Sequence, residues 1–123
     1  PAVAIIGVCA RGAPCMDESW RSGRPVSHEQ IATIADGIGV RIPIAAALAD
    51  MDGLVDDVVQ VSDANIVAAM RLAQQHLSVM LEPAGAAALA AVLEYPQRFI
   101  GQHLALILTG SCLSEQQRQL FNG

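Results

Sequence analysis

Short runs of β-branched and aliphatic residues alternate along this chain with alanine-rich stretches of helical character, and that alternation restricts the fold more than any other feature. Ala2–Val8 reads AVAIIGV, apolar on both faces, as a strand buried in a parallel sheet requires. Gly12 and Pro14 break the chain, and Cys15–Arg21 is predicted as a short helix ending at Gly23. The stretch from Gly23 to Ile34 carries Gly, Pro, Ser and His and reads as loop, with capping-box spacing at Ser27 and Gln30. Ile44–Asp50 follows Pro43 as an alanine-rich helix, and Val55–Val61, with VVQV, as a second strand. Ser62 or Asp63 then caps a helix running to Leu77, with Ile66, Met70, Ala73 and Leu77 on one face. Pro83 opens a helix over Ala84–Leu93 that is small and apolar all round, hence buried and closely packed. His103–Leu108, with LALIL at its centre, is the third predicted strand. Thr109-Gly110-Ser111 is the turn after it, and Ser114–Leu120 a polar closing helix.

Strands that alternate with helices imply parallel pairing through right-handed crossovers. The fold class is therefore α/β, a three-layer α/β/α arrangement with a mostly parallel sheet, and residues 1–123 read as one domain. Ligands of such sheets bind beyond the C-terminal ends of the strands. That rule places Cys9–Ala10, Ser62 and Thr109–Ser111 on one functional edge.

Composition narrows the function classes. Apolar residues make up 53% and charged residues 15%, which excludes the disordered class, and with 3% aromatics the core must be aliphatic. So little charge implies that part of the surface is covered by a second copy, another domain or a partner. All seven basic residues are arginines, scattered along a chain of net charge −5, so no basic stripe exists for nucleic acid. No apolar run reaches the roughly 20 residues that a bilayer span needs. Pro1–Val8 lacks the basic flank and the length of a secretory signal. Cys9, Cys15 and Cys112 are odd in number and irregular in spacing, which points to a reducing cytoplasm, and no CxxC or HxxxH pair suggests structural zinc. His28, His76 and His103 form no catalytic pattern, and Asp56-Asp57 reads as a solvated entrance to a strand.

Five segments taken in order carry a specific resemblance: IIGVCARGAPCMDESWRSGRP, TIADGIGVRIP, LVDDVVQVSDANIVAAMRLA, LEPAGAAALAAVL and LALILTGSCLS. From Ala2 to about Ser114 the chain resembles the C-terminal part of the serine/threonine dehydratase and serine racemase family, fold-type-II pyridoxal-phosphate enzymes of the tryptophan-synthase-β fold. The resemblance implies a partial large domain, without the N-terminal half. In that family a lysine forms a Schiff base with the cofactor, a glycine-rich loop holds its phosphate, a hydroxyl faces the pyridine nitrogen and an Asn lies against the phenolic oxygen. The lysine, the Asn and the glycine loop precede the segments matched here, and this chain contains no lysine at all.

By the same resemblance Thr109 is the hydroxyl residue facing the pyridine nitrogen, which leaves that nitrogen largely unprotonated and tempers the electron sink. Gly37 sits where backbone approaches the cofactor, Glu82 matches an acidic residue beside the ring, and Gly110 follows Thr109 in the cofactor-side turn. Read without the resemblance, Thr109 is a turn hydroxyl after a strand, Gly37 a turn glycine, and Glu82 an acid favoured near a helix start. Where the family usually shows a hydroxyl residue followed by Gly-Gly-Asn, Thr109 is followed here by Gly110-Ser111-Cys112. Some members bind a divalent cation at positions matching Cys9, Ala13 and Cys15. With two carboxylates replaced by thiols, no hard-metal site is expected. The two cysteines then read as small buried apolar side chains.

The implied parent reaction is elimination of ammonia from a hydroxyl amino acid such as serine or threonine, giving a 2-oxo acid. Without lysine the chain alone is expected to be inactive and to hold no cofactor, and its partner to be either a complementing N-terminal half or a second copy. The alternative is a stand-alone, non-catalytic α/β domain that self-associates or binds a partner or small ligand. A hydrolase reading fails at Ser111, whose T-G-S-C-L surroundings lack the nucleophile-elbow spacing.

Overall fold

The structure, a computed structural model, describes residues 3–110 and 112–122. Its described residues form one sheet of two strands, β1 (Ile6–Ala10) and β2 (Asp57–Val61), paired in parallel with Ile6 opposite Asp57 and Ala10 opposite Val61. Asp56 N–H donates to the Ile5 carbonyl (2.9 Å) and Arg11 N–H to the Val61 carbonyl (2.8 Å). The odd-numbered residues of β1 therefore turn their peptide groups toward β2, and the even-numbered residues turn theirs away.

Side chains alternate with the same period of two, and this sorts the layers. Ile6, Val8 and Ala10 join Val59 and Val61 against the helices α3 (Asp63–Leu77) and α4 (Ala87–Glu94). On the opposite face lie Gly7, whose absent Cβ would meet Val58 at 3.3 Å, and Cys9, beside α1 (Cys15–Ser22). Helix α2 (Ala45–Met51) packs on α1. The three-layer α/β/α arrangement thus stands, built on a sheet narrower than expected. Its densest core lies where α3 meets α4. Ile66, Ala69, Met70 and Ala73 of α3 are buried there with Ala87, Ala90 and Ala91 of α4. The alanines of α4 let the two backbones approach, and full burial of Ile66 and Met70 contributes about 1.5–3 kcal/mol each.

Several expectations need correction. Residues 103–108 form no strand, because their backbone has no neighbour within hydrogen-bonding reach among the described residues. The first strand begins at Ile6 rather than Ala2 (Ala2 lies outside the described residues), since β2 offers it no partner earlier than Asp56. Leu77 is 58% exposed, one position before the left-handed Ser78 that ends α3, and overhangs the core. The helix expected from Ala84 starts as a 3-10 turn over Ala84–Ala86 before α4, and a further short helix, α5 (Pro96–Phe99), follows it. Ser27 and Gln30 cap no helix. The capping box is instead at Ser114 and Gln117, opening α6 (Glu115–Gln119).

Candidate functional site

Beyond the C-terminal ends of both strands, the loop 32–39 is fixed at three points. Ala32 N–H donates to the Gly12 carbonyl (2.9 Å), just past β1. Just past β2, Asp63 accepts from the Thr33 hydroxyl (2.6 Å) and from Ile34 N–H (2.9 Å). The loop then turns through Asp36–Ile38 and brings Gly37 against the Ala84–Ala86 turn, where a Cβ on Gly37 would stand 2.9 Å from that of Ala84.

The segment after Leu108 reaches the same turn. Thr109 N–H points to the Gly85 carbonyl at 3.4 Å, and a Cβ on Gly85 would fall 1.8 Å from the Thr109 carbonyl oxygen. Gly110 takes φ +132°, a left-handed value that disfavours any side chain, and a Cβ there would lie 2.2 Å from the amide nitrogen of Glu82. Gly37, Glu82, Thr109 and Gly110 are thus gathered around one turn from three separate segments. Gly37, Thr109 and Gly110 are exposed and Glu82 is partly so. Ser111 lies outside the described residues.

Ser62 and Cys9 are not part of this cluster. The Ser62 hydroxyl caps α3 by accepting from Asn65 N–H (3.3 Å) and donates to Glu94 (2.9 Å). Glu94 also accepts from Arg11 (2.6 Å), from Ser62 N–H (3.2 Å) and from the Asn65 amide. Burial would raise the Glu94 carboxyl, but the hydrogen bonds of Asn65, Arg11 and Ser62 outweigh it and hold the group at about 2. Cys9 faces the α1 layer, where burial pushes its thiol up to about 11. Cys15 is buried and donates to the Val40 carbonyl at 2.9 Å, with its pKa raised chiefly by burial.

Nor is Asp57 a solvated entrance. It binds Arg21 (2.8 Å) and Arg98 (2.6 Å), which hold its carboxyl below the usual range against the opposing effect of burial. His28 meets Glu18 on α1 and His76 is exposed, so neither joins the cluster.

Sequence reasoning overlooked Gly85, the closest backbone approach in the cluster. Its only signal was a glycine amid alanines in EPAGAAALAA. Asp63 was read as a cap candidate, yet its carboxylate anchors the loop that carries Gly37. Nothing in the local pattern marked Glu94, whose partners lie 29 to 83 residues away.

Chemically, the cluster offers one uncharged hydroxyl, that of Thr109, and one carboxylate, that of Glu82, on segments that glycines allow to pack closely on one another. That donor set is compatible with one edge of pyridoxal phosphate. No lysine is present to meet its aldehyde.

Residues 1–110 match the family described as pyridoxal-phosphate dependent enzyme. The L-threonine ammonia-lyase of Thermotoga maritima is 34% identical over 110 residues, covering 89% of this chain and 27% of that protein. A beta-hydroxyaspartate dehydratase of Paracoccus denitrificans is 33% identical over 92 residues, 75% of this chain and 29% of the relative. Among solved structures, a threonine deaminase from T.th. superposes with a TM-score of 0.84 at 31% identity, covering 90% of this chain and 40% of that one. A processed threonine deaminase isoform 2 from Solanum lycopersicum gives 0.86 at 26%, covering 98% and 34%. The chain spans between a quarter and two fifths of the length of these relatives.

Proposed function

The chain belongs to the pyridoxal-phosphate dependent enzyme family, and from that premise we propose that it supplies the ring-nitrogen side of a cofactor site in a threonine-dehydratase-like enzyme. The observation that carries this reading is the meeting of Gly37, Glu82, Thr109 and Gly110 around one largely buried turn in a chain that spans only part of its relatives. Thr109 would hydrogen-bond the ring nitrogen, and Gly37 and Gly110 would let their segments close on the Ala84–Ala86 turn beside it. Glu82 would lie beside the ring. When bound, pyridoxal phosphate supplies an electron sink for a carbanion at the amino acid's α-carbon. The amine that anchors the cofactor must come from a lysine-bearing part outside this sequence, on the same polypeptide or another. The substrate would be a hydroxyl amino acid such as serine or threonine, released as a 2-oxo acid and ammonia. A reducing compartment, the cytoplasm, suits the free thiols of Cys9, Cys15 and Cys112.

The test is co-expression of the chain with the part of the Thermotoga maritima relative that it does not match. Ammonia release from L-threonine is expected for the pair with added pyridoxal phosphate, and none for the chain alone. Thr109→Val should lower turnover by about tenfold while Thr109→Ser retains it, as loss of one hydrogen bond implies. A folded, co-purifying pair that releases no ammonia would overturn the reading.

A second reading, a non-catalytic domain that associates with itself, draws on the exposure of Ile107 (82%), Ile100 (72%) and Ile44 (63%).

A further inference from the structure

Helix α2 approaches α1 with a face that does not fill the space between them. Ala45, Leu48, Ala49 and Asp52 recur at helical spacing on that face. The two alanines are too short to fill the gap, so Ala45 and Ala49 stay exposed although they face another element. What remains is a pocket of about 410 Å³, within the roughly 300–1,000 Å³ of small-molecule sites. Trp20 of α1 lines it from the other side, with Arg21 over its ring at 5.6 Å from the centroid. Gly23, left-handed at φ +68°, ends α1 and turns the chain so that Arg24 also lines the pocket.

The pocket carries one charge of each sign. Arg24 and Asp52 both line it, and neither makes an ion pair among the described residues, whereas Arg11, Arg21 and Arg98 each bind a carboxylate. An occupant that satisfies both needs an anionic and a cationic group. The indole ring, Leu48 and the two alanines supply an apolar surface, on which a flat ring gains from stacking as well as from burial.

The walls also hold the two stems of one segment. Residues 24–44 leave α1 at Arg24, carry Gly37 between, and return into α2 at Ala45. Val26 N–H donates to the Ser19 hydroxyl (2.8 Å), and His28 N–H donates to the Arg41 carbonyl (3.0 Å) and ties the stems together. An occupant that touches Arg24 and Ala45 holds the base of the segment that brings Gly37 to the Ala84–Ala86 turn.

We propose that this pocket binds a zwitterionic amino acid with an aromatic side chain. Its carboxylate pairs with Arg24, its ammonium with Asp52, and its ring lies against Trp20 and Leu48. The pocket shares no residue with the cluster of Gly37, Glu82, Thr109 and Gly110, and binding there does not depend on the function proposed above.

Trp20 is the chain's single tryptophan, so its fluorescence reports occupancy. L-Phenylalanine titrated into the chain should change that fluorescence to saturation. 3-Phenylpropionate lacks the ammonium and phenethylamine lacks the carboxylate. Each should bind at least about tenfold more weakly, as loss of one charged hydrogen bond implies. At about ten times its dissociation constant, phenylalanine should slow exchange of the Val26 and His28 amides roughly tenfold. Arg24→Gln should remove the preference for phenylalanine over phenethylamine, and Asp52→Asn the preference over 3-phenylpropionate. No saturable change with phenylalanine, or an analogue that binds as tightly as phenylalanine, would overturn the proposal. So would saturation with the Val26 and His28 amides unchanged, because the ligand would then sit elsewhere. If a variant fails to fold, the three ligands and the exchange rates of the unmodified chain decide.

Discussion

Glu94 binds, through a single carboxylate, the chain leaving β1 at Arg11, the cap of α3 at Ser62 and the first turn of that helix at Asn65. Its folded pKa is about 2 against an ordinary 4.5, so the folded state binds this proton more weakly than the unfolded state. A depressed carboxyl contributes stability that is complete above the unfolded value and is lost as pH falls through the folded one. The window here runs from about pH 4.5 down to about 2. Glu94→Gln should cost roughly 1–3 kcal/mol near pH 6, because it leaves a largely buried network short of its charged acceptor. The gap between wild type and variant should then close across that window in urea titrations. A gap independent of pH would show that the charge is not what the network uses. None of this was legible in the sequence, because Glu94 meets partners 29 to 83 residues away and stands in an otherwise apolar helix. Thr109, Gly37, Glu82 and Gly110 were legible only as motif matches. Their meeting at the Ala84–Ala86 turn depends on Gly85, whose missing Cβ lets the Thr109 carbonyl in.

Among the elements, α3 was the most readable, since Ser62 is a capping residue and Ile66, Met70 and Ala73 recur at helical spacing. Tertiary packing buries these three and leaves Leu77, the fourth position expected on that face, outside, because a helix periodicity says nothing of where its neighbour stops. Met70 is fully buried against α4. Met70→Ala should destabilise by about 2–5 kcal/mol in chemical denaturation, a large share of a marginal total. A loss below about 1 kcal/mol would mean that the α3–α4 interface is not the main core. Residues 103–108 show the opposite limit of sequence reading. LALIL has the composition of a strand, but a strand exists only where another backbone pairs with it, and none of the described residues does so.

For the molecule as a whole, exposed area and chain length agree. A compact protein of 12.9 kDa exposes about 6,300 Å² by the usual scaling with mass, whereas this chain exposes 7587 Å². The excess, about 1,300 Å², is more than the roughly 800 Å² that one partner contributes to a standard interface. It includes Val3, Ile5, Leu104, Leu106 and Ile107, residues that a core would otherwise claim. A chain with this surface is expected to bind, and under the proposed function its partner is the lysine-bearing part of a pyridoxal-phosphate enzyme. Native mass spectrometry of the chain co-expressed with the unmatched part of the Thermotoga maritima relative, in the presence of pyridoxal phosphate, measures that directly. One chain, one complementing part and one added cofactor mass is the expected species. A homo-oligomer of the chain alone, with neither complement nor cofactor, would contradict the assignment of this chain to one side of a cofactor site.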